Sequence, residues 1–175
     1  MIETSKNSQP PATQWQGTVA GIHIATGAAG PILSREEIRA VAGKGLVGDR
    51  YFTHQGTYSS TPGTGRQITL IEAEALEAAA RDGVTLDPGQ ARRNIVTRGV
   101  PLNHLVGREF FLGDVRLRGM RLCEPCAHLM SLTKRGVIKA LIHRGGLRAD
   151  IVTDGVIHVG DSVRPIDPGE LPGSQ

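Results

Sequence analysis

Residues 147–166 read LRADIVTDGVIHVGDSVRPI. Three short apolar runs, 147–152, 156–159 and 162–166, are punctuated by Asp154-Gly155 and Gly160-Asp161. Asp-Gly tolerates the positive φ of a tight turn, so the segment predicts three strands with a hairpin signal at Asp154-Gly155. Upstream, runs at 109–112 and 115–117 flank Gly113-Asp114 and predict a hairpin. Apolar residues then fall at 115 and 117, and next at 120 and 122. That slip in the two-residue period predicts a bulge at Gly119.

Further strands are expected at 15–24, 66–70 and 94–97. Ser34 and Glu37 spell a capping box, which would open a helix. Gly43 and Gly45 follow too soon for one, and 38–41 reads as a strand. The clearest helix is 72–81, rich in Ala, Glu and Leu. Ile71, Ala75 and Ala79 share one stripe, and Gly83 is the stop. A second helix is expected within 133–143, with Val137, Ile138, Leu141 and Ile142 on one side. Residues 54–65, HQGTYSSTPGTG, make a long loop of the kind that is often functional. The sum is eight or nine strands and two short helices. That predicts a mostly-β, single-domain β-barrel over 15–168, between a flexible N-terminal tail at 1–14 and a C-terminal tail at 169–175.

Composition limits the function. The 175 residues carry a net charge of +3, too mild to imply DNA binding and compatible with a small anionic ligand. Aromatics are only 3%, few for a surface that stacks single-stranded bases. No apolar run approaches the roughly 20 residues of a membrane span. No secretory h-region is visible near the start, so a cytoplasmic protein is expected, with neither nucleic acid nor membrane as partner. The 23 glycines and 10 prolines are dispersed, which fits many short segments and not a low-complexity linker.

Four groups of residues carry candidate chemistry. Cys123-Glu124-Pro125-Cys126 is a CxxC with His128 nearby. It lacks the second pair a structural zinc site needs and the βαβ setting of a thioredoxin-like pair. A dithiol redox or metal-binding module and two inert core cysteines both stay open. Arg92-Arg93-Asn94 offers guanidinium forks and a carboxamide suited to phosphate or carboxylate. Arg66 and Arg148 have the same potential. Gly43-Lys44-Gly45 and Gly48-Asp49-Arg50 form glycine turns with charges, without P-loop or dinucleotide spacing.

Taken in order, AGKGLVGDRY (42–51), RQITLI (66–71), RRNIVT (92–97), LCEPC (122–126) and GLRA (146–149) resemble the MOSC domain, the C-terminal part of molybdenum-cofactor sulfurases. The resemblance runs over nearly the whole chain and implies a strand-rich barrel. It also implies binding of the molybdenum cofactor (Mo-molybdopterin), with reduction of N-hydroxylated compounds or carriage of sulfur or cofactor as the activity. On it, Cys126 matches the metal ligand and the functional thiol. Arg92 and Asn94 match the residues that hold the pterin phosphate. Arg148, Lys44 and Arg66 join them as candidate cofactor contacts. A reductase of this kind requires an electron-donor protein, and a carrier requires a sulfur donor. Pyridoxal phosphate is not expected, because it belongs to a separate desulfurase domain of the full sulfurases.

Overall fold

The computed structural model describes residues 15–170. The tail expected at 1–14 and residues 171–175 of the tail expected at 169–175 lie outside the described residues, and 169–170 belong to a 3-10 turn. In chain order the elements are β1 (Gly17–Ile24), β2 (Leu33–Arg35), β3 (Glu37–Val41), β4 (Gly45–Leu46), β5 (Ile68–Glu72), α1 (Ala73–Arg81), β6 (Ile95–Arg98), β7 (Glu109–Leu112), β8 (Val115–Leu122), α2 (Ala127–Leu132), α3 (Val137–Leu141), β9 (Leu147–Ile151), β10 (Gly155–His158) and β11 (Ser162–Pro165). Short 3-10 turns lie at Pro88–Ala91, Leu102–Leu105 and Pro168–Glu170.

Seven strands close into a barrel in the order β1-β11-β7-β8-β9-β5-β6 and back to β1, with β2 appended to β1. Every barrel pairing is antiparallel except β5–β6. That parallel pair needs a crossover, which α1 supplies. Alternation sends Ile68, Leu70, Leu117, Leu147 and Ala149 into the barrel, where they pack with Phe110 and Leu112. Each such fully buried aliphatic side chain contributes roughly 1.5–3 kcal/mol relative to exposure. Ile38 and Ala40 of β3, Leu46 of β4 and Ile157 of β10 join the same cluster from a small second sheet, β10-β3-β4.

The outward residues Ile71 and Val96 form a second cluster beneath α1 and α3, with Leu76, Ala79 and Leu141. Helix α1 buries Ala75, Leu76 and Ala79 and then stops. Gly83 takes φ +85, its amide donates to Ala80 O, and that of Val84 donates to Ala79 O. This pair of hydrogen bonds is the usual glycine termination.

The bulge stands where the period slips: the β8–β9 register shifts between Gly119 and Arg121. Residues 37–41 are a strand and no helix starts at Ser34, because β2 and β3 occupy that stretch. Three expectations need correction. There are eleven described strands, since the two- and three-residue pieces β2 and β4 are too short to show a period. Asp154-Gly155 does not turn a hairpin. Strand β9 is already flanked by β8 and β5, so β10 leaves the barrel and pairs with β3. Asp154 Oδ1 instead accepts the Ala42 amide at 2.7 Å. The single helix expected within 133–143 is the five-residue α3, preceded by α2, with a break at Gly136 in a left-handed conformation (φ +89).

One glycine controls how β9 meets β5. Gly146 has φ +111, and a Cβ there would collide with the carbonyl oxygen of Leu70. Gly146→Ala should therefore destabilise the protein by about 3 kcal/mol or more, through both strain and collision. Urea denaturation checks this; a midpoint unchanged from wild type contradicts it.

Candidate functional site

A cleft opens on the outer face of the barrel, between β9, β5, the segment leading into β6 and the start of α2. Arg50, Tyr58, Arg92, Cys126, His128 and Arg148 are among its lining residues, and its free volume is about 60 Å³.

The two cysteines are placed differently. Cys123 follows directly on β8, is 2% exposed, and donates its amide to Gly146 O at 2.7 Å. Arg93, itself buried, clamps this region: Nη2 donates to Cys123 O at 2.9 Å, Nε to Gly145 O at 2.9 Å and Nη1 to Ala91 O at 3.0 Å. Pro125 has no amide to continue a ladder, so the chain turns away there. Cys126 is extended (φ −138) at the head of α2 and its thiol is exposed.

Residues 54–65 form a strap whose Thr57 and Tyr58 line the cleft beside Cys126. Arg66 Nη1 donates to the carbonyls of Tyr58 and Thr61 and so fixes the strap's shape. Thr57 Oγ1 lies 3.4 Å from His128 Nε2, and the Tyr58 ring stands edge-on to His128 at 6.4 Å. Burial raises the pKa of the Tyr58 hydroxyl above its ordinary value, and the nearby Cys126 sulfur adds to the rise.

The walls are cationic. Arg92 sits in the left-handed region at φ +58 and donates from Nη1 to Gly30 O at 3.1 Å. Its Nη2 is buried without a partner, as is Nε of Arg148. Burial lowers the pKa of Arg92, and the neighbouring Arg50 lowers it further. A buried cation without a partner costs free energy unless an anion arrives. Both orphaned nitrogens belong to residues lining this cleft.

Asn94 stands behind the wall. Its Oδ1 accepts from Thr69 N and Oγ1, each at 3.0 Å, and its Nδ2 donates to His23 O at 3.2 Å and Asp49 Oδ1 at 3.3 Å. With every polar atom engaged and only 5% exposure, its side chain does not line the cleft. Asp49, 1% exposed, also accepts the amides of Ala25 and Tyr51 and pairs with Arg50 at 3.4 Å. Lys44 and Arg66 line a neighbouring depression with His54 and Asp150. Of the six residues singled out in the sequence, the cleft thus brings together Cys126, Arg92 and Arg148.

Arg50, Thr57, Tyr58 and His128 were not singled out. Arg50 lay in the noted glycine turn and His128 beside the CxxC, but Thr57 and Tyr58 had no signal beyond lying in a long loop. Among the described residues, no group of three His, Cys, Asp or Glu side chains is placed to hold a metal ion.

Comparison with known families matches residues 54–164 to the MOSC domain. The chain belongs to the MOSC family. The match spans β5 to β11 and contains both cysteines and the cleft's Arg92 and Arg148. The YuaD protein from Bacillus subtilis superposes with a TM-score of 0.69 at 19% identity, covering 89% of this chain and 99% of that one. YiiM from Geobacillus stearothermophilus gives 0.61 at 14% identity, over 89% of this chain and 78% of that one. YiiM from Escherichia coli gives 0.60 at 14% identity, over 89% and 71%. At these identities the likeness concerns the fold. No curated protein matches the chain.

Asn94→Ala leaves two buried Thr69 donors without their acceptor and removes one of the donors to Asp49, and should cost about 2–4 kcal/mol, read by thermal or urea unfolding. A loss below about 0.5 kcal/mol would deny Asn94 its structural role. His23 Nδ1 meets Ser34 Oγ at 3.2 Å while Nε2 is buried unpaired. Burial lowers its pKa below the ordinary 6.5. The unfolded chain then takes up the proton first as pH falls. The stability due to neutral His23 is intact above pH 6.5 and declines from there towards the lower folded value. His23→Gln should flatten the slope of stability against pH in that window; an unchanged slope assigns it to other groups.

Proposed function

We propose that this chain binds the molybdenum cofactor in the cleft and acts as a reductase of N-hydroxylated compounds supplied with electrons by a partner protein. The observation that supports it best is the meeting of an exposed thiol, Cys126, with two arginines that each keep a buried, unpartnered nitrogen in the same cleft. The donor set fits the group. A thiolate is a soft ligand suited to molybdenum, and planar guanidinium forks suit a phosphate. Cys126 would ligate the metal, and Arg92 with Arg50 would hold the phosphate. When bound, the cofactor supplies the redox chemistry and the open metal position.

The chain's own residues do the rest. Arg93 pins the backbone at Cys123 and so fixes where the chain departs towards Cys126. Tyr58 and His128 wall the thiol, and Asn94 and Asp49 set the loop that carries Arg50 and Tyr51. The present free volume is room for a few waters. Thr57 and Tyr58 of the 54–65 strap line the cleft with Cys126, so a pterin seated there would pack against them.

A sulfur- or cofactor-carrier role uses the same contacts and differs in requiring release. The paired-thiol alternative fits less well, because Cys123 is buried and its peptide is clamped at both N and O.

The test is purification from a molybdopterin-competent host, with metal analysis and oxidised-pterin fluorescence on the same sample. Wild type should retain both through gel filtration. Cys126→Ser should lose most of the molybdenum, and Arg92→Ala should lower pterin at least tenfold at physiological salt. Full molybdenum retention in Cys126→Ser overturns the assignment of the ligand. Retention by wild type only until a cofactor-free acceptor protein is added would favour the carrier role.

A further inference from the structure

Arg148 is not needed for the phosphate site just described, and its surroundings differ from those of Arg92. It lies on β9, whereas Arg92 precedes β6, and β5 runs between them. At about 4.8 Å per strand, the two are separated by roughly 10 Å of sheet. On its other side, Arg148 is the direct register partner of Arg121 on β8. Like charges placed opposite each other on neighbouring strands repel. The bulge at Gly119 creates this pairing, because it shifts the register by one residue immediately before Arg121.

No ion pair among the described residues relieves it. The nearest carboxylate in sequence, Asp150, accepts the Gly65 amide at 2.8 Å. A third guanidinium, Arg66, is held by the strap carbonyls of Tyr58 and Thr61. Arg148 also keeps its Nε buried without a partner. Burial and then the neighbouring Arg148 lower the pKa of Arg121. The one carboxylate that lines the cleft with Arg148 and Cys126, Glu124, is turned to the amide and ring of His143, so the two facing cations have no ion-pair partner and form a site that an anion completes.

We propose that Arg148 and Arg121 form a second anion subsite, two strands away from Arg92, which selects substrates bearing a phosphate or carboxylate. The assignment of the anion to a substrate rests on the reductase reading. The subsite itself rests only on the pairing of the two arginines and the position of the thiol. On this account the neutral parent compound is a poorer substrate than its phosphorylated or carboxylated form, since the acidic group places the reacting atom at the cysteine end of the cleft.

The test compares two reagents on the whole, cofactor-free protein. Iodoacetate and iodoacetamide both alkylate a thiolate at carbon with loss of iodide, and they differ in charge. Their rate ratio cancels changes in thiol reactivity and reports anion recruitment. At Cys126 the ratio should exceed that of N-acetylcysteine by about tenfold at low salt. Cys126→Ser should show no native labelling. Arg148→Gln and the exposed-site variant Arg121→Gln should each lower the ratio several-fold, Arg148→Lys should keep most of it, and Arg92→Gln should change it less than twofold. A ratio equal to that of N-acetylcysteine, or an equal fall in Arg92→Gln, overturns the subsite.

A second measurement separates the two sources of anion. Arg148→Gln from the molybdopterin-competent host should keep its pterin within twofold of wild type. A loss as large as that of Arg92→Ala would assign Arg148 to the cofactor's phosphate and overturn the substrate assignment. If wild type carries no pterin at all, the reductase reading fails, and the alkylation ratios still decide the subsite.

Discussion

The carboxamide of Asn94 is the junction on which the site's architecture depends. One buried side chain bonds to β5 through Thr69, to β1 through the His23 carbonyl, and to the 49–51 turn through Asp49. These attachments hold β6 parallel to β5 and keep the left-handed Arg92 at the cleft wall. A buried polar network of this kind fixes a single arrangement only when every member is satisfied. Asn94 meets that condition within the protein. Arg92 and Arg148 do not, and the contrast separates the frame of the cleft from its walls.

That contrast follows from where the charges sit. Arg93 is as deeply buried as its neighbours, yet three main-chain carbonyls satisfy it and it acts as a clamp. Arg164 and Arg144 lie at the surface and find Glu170 and Asp82. At the cleft, Arg92 and Arg148 each keep a buried nitrogen unmet and have no carboxylate partner, whereas Arg116, whose Nε also lacks a hydrogen bond, lies 3.5 Å from Glu109. Chains fold with such a deficit when the rest of the core outweighs it, and the barrel interior from Ile68 to Leu147 supplies that excess.

Much of the fold was legible in local pattern. The period slip at Gly119, the hairpin at Gly113-Asp114 and the Ala-rich helix each follow from short-range geometry, and each stands at its place. The Asp154-Gly155 hairpin misled, because pairing depends on which strand edges remain free, and β9 had none left. At the site, the separation of a buried Cys123 from an exposed Cys126 was readable from Pro125. The withdrawal of Asn94 into the frame was not, since a carboxamide that binds a ligand and one that binds its own backbone have the same spelling. Nor was Arg66 readable as the anchor of the strap. Its acceptors are carbonyls, which every residue possesses.

Closure of the barrel also bears on how the protein behaves in a crowded solution. A cylinder of seven strands offers a neighbouring chain no open ladder to extend. In the described barrel sheet the one edge is β2, three residues long and bearing the exposed Arg35. Short, charged edges are poor templates for strand addition and therefore for fibrous aggregation. Two of the buried nitrogens left without a partner belong to residues of the cleft, while the margin of the barrel sheet gives very little hold to another polypeptide.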